Sequence, residues 1–122
     1  MKTVVVTAGQ TWIDIDAFAC IIAYTKLLKL EGKASEAIHP GVLNASIPDY
    51  LAKLGNYLIE PSSLDYTVVL VDISNPAFVS NFVKPEHVIE IYDHHLGFEE
   101  YWNQRLSNNA HIEFIGACAT LI

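Results

Sequence analysis

YTVVLVD, residues 66–72, carries no charge before its final aspartate, and Thr67 to Val71 are β-branched or aliphatic at every position. A strand with one wet face alternates apolar with polar residues. A run without alternation needs cover on both faces, the pattern of a central strand in a parallel sheet. TVVVTA (3–8) is a second short buried run that feeds a loop at Gly9, and HVIEIY (87–92) is a third that stops at Asp93-His94-His95. ASEAIH (34–39), closed by Pro40-Gly41, and HIEFI (111–115) are weaker strand candidates. DAFACIIAYTKLLKL (16–30) contains neither Gly nor Pro and meets a stop at Glu31-Gly32, which predicts a helix. Its apolar residues spread around the helix, so cover on more than one side is expected. PDYLAKLG (48–55) is expected to open a short helix on Pro48 and stop at Gly55. GFEEYWNQRLSNN (97–109) is polar and expected to be irregular, and GACATLI (116–122) begins an apolar segment with small residues at a helix start. Strands alternating with helical or loop crossovers predict an α/β domain, Rossmann-like and three-layered, with a mainly parallel sheet.

The composition suits one folded domain: 122 residues, 52% hydrophobic and 17% charged. Seven Lys and Arg against fourteen Asp and Glu give a formal charge of −7 with no basic stretch. That balance argues against a grip on long nucleic acid, which rests on cationic side chains neutralising phosphates. A small phosphorylated substrate remains compatible where metal ions supply the positive charge. Cys20 and Cys118 sit in apolar surroundings without ligand spacing, as buried thiols of a reducing compartment do. The N-terminal MKTVVVTAGQ is too short an apolar run for a signal peptide or a membrane span, so a cytoplasmic location and no membrane partner are expected.

In a parallel sheet, ligands bind outside the carboxyl ends of the strands. The first strand leads through Gly9 and Gln10 to Asp14 and Asp16, another ends at Asp72, and the third ends at Asp93-His94-His95. Two unit charges about 4 Å apart repel by roughly 4 kcal/mol at an effective dielectric near 20. Carboxylates crowded there must hold protons or share cations, and mixed Asp and His ligands favour Mn, Fe, Co or Zn over Ca. Each residue also has a structural reading. Asp14 can be a helix N-cap with Asp16 favouring the helix dipole, Asp72 a turn residue, and the two histidines an exposed loop pair.

DIDAFACIIAY (14–24) resembles the Asp-x-Asp-Ala motif of the DHH phosphoesterases, LVDISNP (70–76) their second Asp motif, and YDHHLGF (92–98) the Asp-His-His motif that names them. HIEFIGACATLI (111–122) is similar to the strand and small-residue helix start that follow in that family. Order and spacing resemble the N-terminal catalytic domain of its manganese-dependent pyrophosphatase and exopolyphosphatase-like members, over nearly all of residues 1–122. The resemblance implies that Asp14 binds one metal and Asp16 the other, that Asp72 bridges them, and that His94 ligates the second. It also implies that Asp93 orients His94 and that His95 faces the substrate phosphate. The implied reaction is hydrolysis of a phosphoanhydride or phosphodiester, in pyrophosphate, a short polyphosphate or a nucleotide. A metal-activated water is the implied nucleophile and two Mn(II) the cofactor, with Mg or Co as alternatives.

Two features depart from that pattern. Gln10 stands where pyrophosphatase-like members carry a histidine, and Gln is a poorer ligand than imidazole for a transition metal. The family's further Asp ligand and its C-terminal substrate-binding domain would lie beyond Ile122, so the chain is expected to be a piece of a longer protein. These departures sustain an alternative expectation, a catalytically degenerate domain that binds a nucleotide or metal as a sensor or scaffold. Gly116 to Thr120 could present backbone N–H groups to a phosphate or serve close helix packing. Trp12, Tyr101 and Trp102 are expected to be core or rim aromatics.

Overall fold

The computed structural model describes residues 2–7, 12–39, 42–43, 45–52, 57–58, 61–62, 65–113 and 121. Eight strands are formed: β1 (Lys2–Val6), β2 (Trp12–Ile13), β3 (Ser35–Ile38), β4 (Val42–Leu43), β5 (Tyr57–Leu58), β6 (Tyr66–Val71), β7 (Val88–Asp93) and β8 (Ala110–Ile112). The α-helices are α1 (Ile15–Leu30), α2 (Asp49–Ala52) and α3 (Glu99–Leu106). Six strands form one sheet in the order β5-β3-β1-β6-β7-β8, with every neighbouring pair parallel. β2 and β4 pair separately, also in parallel.

The chain runs outward from β1 through β3 to β5, then returns to the other side of β1 for β6 and runs outward again. This is the doubly wound order of a Rossmann-like fold, and its reversal between β1 and β6 marks the crevice where such sheets bind ligands. The unbroken apolar runs of β1 and β6 follow from cover on both faces. Val5, Val69 and Val71 pack against Cys20, Ile21, Tyr24 and Leu28 of α1. Val4, Val6, Val68 and Leu70 pack on the opposite side with Val83 and with Trp102 of α3. Each such valine or leucine withdrawn from water contributes about 1.5–3 kcal/mol.

β7 reaches both cores through an irregularity. Val68 pairs with Val88 but Val69 with Glu90, so Ile89 is an extra residue. The bulge puts Val88 and Ile91 into the same core and leaves Ile89 39% exposed.

α1 starts at Asp14, whose Oδ1 accepts the Ala17 N–H at 2.9 Å, and ends at Gly32 with φ +79°. Cover on a second side reaches its first turn, where Ala17 and Phe18 meet Ile13 and Ile47. Farther along, Leu27 and Leu30 are exposed. No helix among the described residues is long and apolar enough to cross a membrane.

The segment 97–109 is not irregular as expected, because Glu99–Leu106 is helical. Trp102 is its one buried residue, so apolar spacing gives no helical period, while Glu99 and Glu100 at the start and Arg105 at the end suit the helix dipole. β1 is shorter than expected, ending at Val6. β8 begins one residue early, at Ala110, and residues 114–115 of the expected strand lie outside the described residues. Pro40-Gly41, Gly55 and the small-residue run 116–120, with Cys118, lie outside them too. β2, β4 and β5, two residues each, are too short to leave a periodic signal.

Trp102 is 2% exposed, and its Nε1 donates to the Ser74 carbonyl at 2.7 Å. The bond ties α3 to the segment leaving β6. Trp102→Phe keeps most of the packing but strands that carbonyl, and urea denaturation should show a loss of about 1–3 kcal/mol. On the other face, the hydroxyls of Tyr24 and Tyr92 both donate to Glu90. Burial, and after it the bond to Glu90, pushes the Tyr24 phenol above its ordinary range, and burial raises Tyr92 in the same direction. Each phenol therefore holds its proton more tightly folded than unfolded. Their stabilisation is complete below the unfolded phenol value of about 10 and is lost as pH rises beyond it. Denaturation midpoints should fall above about pH 10, less steeply in Tyr24→Phe.

Candidate metal centre

Three central strands deliver polar residues to one edge of the sheet. β1 is followed by Thr7, β6 by Asp72, and β7 ends on Asp93 with His94 and His95 next in sequence. The first turn of α1 brings Asp16 to the same edge, where its carboxylate meets His94.

Asp72 has φ +57°, in the left-handed region that Asp tolerates better than a β-branched residue does. Its N–H donates to the Tyr92 carbonyl at 2.8 Å, which carries the β6–β7 ladder one residue past the strand. The turn leaves Asp72 buried beside His94, with Asp72 Oδ1 3.0 Å from His94 Nε2. Asp16 Oδ2 lies 3.4 Å from the same nitrogen. Asp93 is fully buried. Its Oδ1 accepts the His94 backbone N–H at 2.9 Å and lies 2.6 Å from His95 Nδ1. Asp93 Oδ2 has no hydrogen-bond partner among the described residues.

Asp72, Asp93, His94 and His95 offer ligand atoms that all lie within 4.8 Å of one another and could hold a metal ion. Spacing supports that fit. Two atoms each about 2.1 Å from one ion stand roughly 3.0 Å apart at an octahedral right angle and roughly 3.4 Å apart at a tetrahedral one. These are the separations found from His94 Nε2 to Asp72 and to Asp16. The buried, unsatisfied Asp93 Oδ2 is a second sign, since a carboxylate oxygen withdrawn from water without a donor is costly unless a cation or proton meets it.

The expected residues divide by position. Asp16, Asp72 and His94 come together through His94. Asp14 is exposed and caps α1 through Oδ1, while also lining the cavity beside Asp72. Its structural reading is therefore realised. Gln10 lies outside the described residues. Asp93 departs from the expected role: the ring it meets is that of His95, and it reaches His94 through the backbone amide. β7 ends at Asp93, so the path of the chain past the strand sets the two rings, which lie 4.4 Å apart between centroids.

The cavity at this edge has a volume of about 390 Å³, within the range of small-molecule sites. Thr7, Asp14, Asp72, Ser74, Asn75 and His95 line its polar part, and Phe78 and Phe98 belong to its apolar wall. Thr7, Phe78 and Phe98 escape sequence reasoning. For Thr7 the available signal was one hydroxyl-bearing residue closing a run of valines at a strand end. The two phenylalanines stand in connections whose path no period reveals.

The backbone at residue 72 should discriminate sharply between substitutions. Asp72→Asn is expected to keep the fold, because Asn also tolerates positive φ, whereas Asp72→Val should lose about 1–3 kcal/mol in chemical denaturation. A scan against models of known protein families finds no match, and neither does a search of curated proteins.

Proposed function

We propose that this chain is a DHH-type metal-dependent phosphohydrolase domain that hydrolyses a phosphoanhydride or phosphodiester bond in a small phosphorylated substrate. Pyrophosphate, a short polyphosphate or a nucleotide fits this description. The observation that carries the reading is His94 Nε2 set 3.0 Å from Asp72 and 3.4 Å from Asp16 at the carboxyl edge of a parallel sheet. The order of the Asp-x-Asp-Ala, Asp and Asp-His-His segments supports it further.

Asp16, Asp72 and His94 would hold the cation, Mn(II) above Mg or Co, and Asp14 on the rim would serve a second one. When bound, such ions lower the pKa of water and offset charge on a transferring phosphoryl group. Asp93 accepts the Nδ1 proton of His95 and so fixes the ring, leaving Nε2 to meet a ligand in the cavity. From there His95 can orient a phosphoryl oxygen or hand a proton to the leaving oxygen, a step that typically contributes 10²–10⁴-fold. The acidic surface is no obstacle, because the cations supply the positive charge. A cytoplasmic location suits this chemistry and the buried thiol of Cys20.

Gln10, in place of the histidine of pyrophosphatase-like members, favours a second reading: a domain that binds metal or nucleotide as a sensor without turnover. Calorimetric titration with Mn(II), followed by a phosphate-release assay on pyrophosphate, separates the two. The enzyme reading expects binding to the unaltered chain, loss of that binding in folded Asp72→Asn, and release of phosphate. Asp93→Asn should weaken Mn(II) about 10–100-fold, because Asp93 belongs to the cluster itself and its Oδ1 accepts the backbone N–H of the ligand His94. Mn(II) binding without release supports the sensor, and no Mn(II) binding to the folded chain sinks the enzyme reading and the metal-sensor form of the second.

A further inference from the structure

Thr7 stands where the sheet reverses direction, one residue past β1 and beside the end of β6. It has no exposed surface, and its Oγ1 has no hydrogen-bond partner among the described residues. A buried hydroxyl in that state bears the full desolvation cost of an unpaired polar group. Valine has the same shape, follows the run Val4-Val5-Val6 naturally, and would fill the position without that cost. Thr25 Oγ1 and His87 Nδ1 are also buried and unsatisfied, but neither residue lines the cavity. Thr7 does, together with Asp72 and His95.

The lining chemistry indicates what the hydroxyl meets. Asp14 and Asp72 can only accept hydrogen bonds when ionised, and no Lys or Arg is among the described residues lining the cavity. A phosphoryl group brings several acceptor oxygens, and of the neutral donor side chains that line the cavity, Thr7, Ser74 and Asn75, it is Thr7 that holds a buried hydroxyl without a partner among the described residues. We infer that Thr7 Oγ1 is a substrate-contact group, donating a hydrogen bond to a non-bridging phosphoryl oxygen of a ligand seated against Asp72 and His95. The assignment rests on the phosphohydrolase reading and deepens it. Cations neutralise the phosphoryl charge, while Thr7, after β1, and His95, after β7, fix its orientation from two directions.

The test uses the Mn(II)-loaded chain and inorganic phosphate as probe, titrated by calorimetry into the unaltered protein, Thr7→Val and Thr7→Ser. Thr7→Val should weaken phosphate about ten- to a hundredfold, the usual worth of a hydrogen bond to a charged group, and Thr7→Ser should restore most of the affinity. Mn(II) affinity should be unchanged in both. Without metal, Thr7→Val should melt at a temperature equal to or above that of the unaltered chain, because the hydroxyl has no partner to lose among the described residues. Equal phosphate affinity in the unaltered and Val proteins overturns the assignment of Thr7 alone. A fall in Mn(II) affinity in Thr7→Val overturns it too, by making the hydroxyl a cation ligand, and a lower melting temperature overturns it by making the hydroxyl structural. If the unaltered, Mn(II)-loaded chain takes up no phosphate, the phosphohydrolase reading fails and this inference fails with it.

Discussion

Carboxylates gathered at the end of a buried sheet repel one another, and the carboxyl edge of this fold is built around that repulsion. Backbone geometry places Asp72 and Asp93 there. A left-handed residue follows β6, and β7 continues to Asp93. The basic residue nearest the sheet, Lys2, stands at the opposite edge, where it pairs with Glu36 at 2.6 Å. Burial there would raise the Glu36 carboxyl, but the Lys2 ammonium and Ser62 overcome it and hold the group below its ordinary range. The two edges answer the same problem differently. One joins a carboxylate to an ammonium, while the other places imidazoles beside carboxylates and leaves Asp93 Oδ2 unsatisfied among the described residues.

Such an edge persists only because the rest of the domain is rigid enough to hold it. β1 and β6 are buried on both faces, so neither can shift by one residue without exchanging its two sets of side chains between the two cores. Trp102 extends this control past the strands, since its bond to the Ser74 carbonyl fixes the chain two residues beyond Asp72. The stabilising contacts thus lie one layer behind the polar groups, and the residues that would meet a ligand carry unfavourable terms: positive φ at Asp72, and a Thr7 hydroxyl and an Asp93 oxygen without partners among the described residues. Concentration of unfavourable local features in one place is the physical mark of a site.

How far the sequence revealed this depends on what signal each element leaves. β1, β6 and β7 were legible because runs with no alternation have few alternatives in a compact domain, and α1 because a long stretch without Gly or Pro ends on a glycine at positive φ. α3 was not, because one buried tryptophan among polar residues has no period to detect. At the site, the ends of β6 and β7 announced Asp72 and His94, and the loop after the first strand led to Asp16 in the first turn of α1. The partner of Asp93 did not, since which side a residue faces just past a strand is set by the exit geometry of the chain. Asp14 carries two functions at once, capping α1 and lining the cavity, and sequence spacing alone cannot divide one carboxylate between them.

Net charge and site chemistry then become parts of one argument. A chain at −7 repels phosphate at long range, and the described cavity wall holds no Lys or Arg to reverse that locally. For the proposed phosphoryl substrate, attraction would come from something the acidic edge itself attracts, and divalent cations are what clustered carboxylates and imidazoles recruit. On the proposed reading the acidity of the edge would admit an anionic substrate: the carboxylates would concentrate the cations, the cations would invert the local potential, and only then would neutral donors such as the Thr7 hydroxyl have a phosphoryl oxygen to meet. Adding a lysine to the wall would compete with that order, because an ammonium beside Asp72 would satisfy the carboxylate and remove its need for the ion.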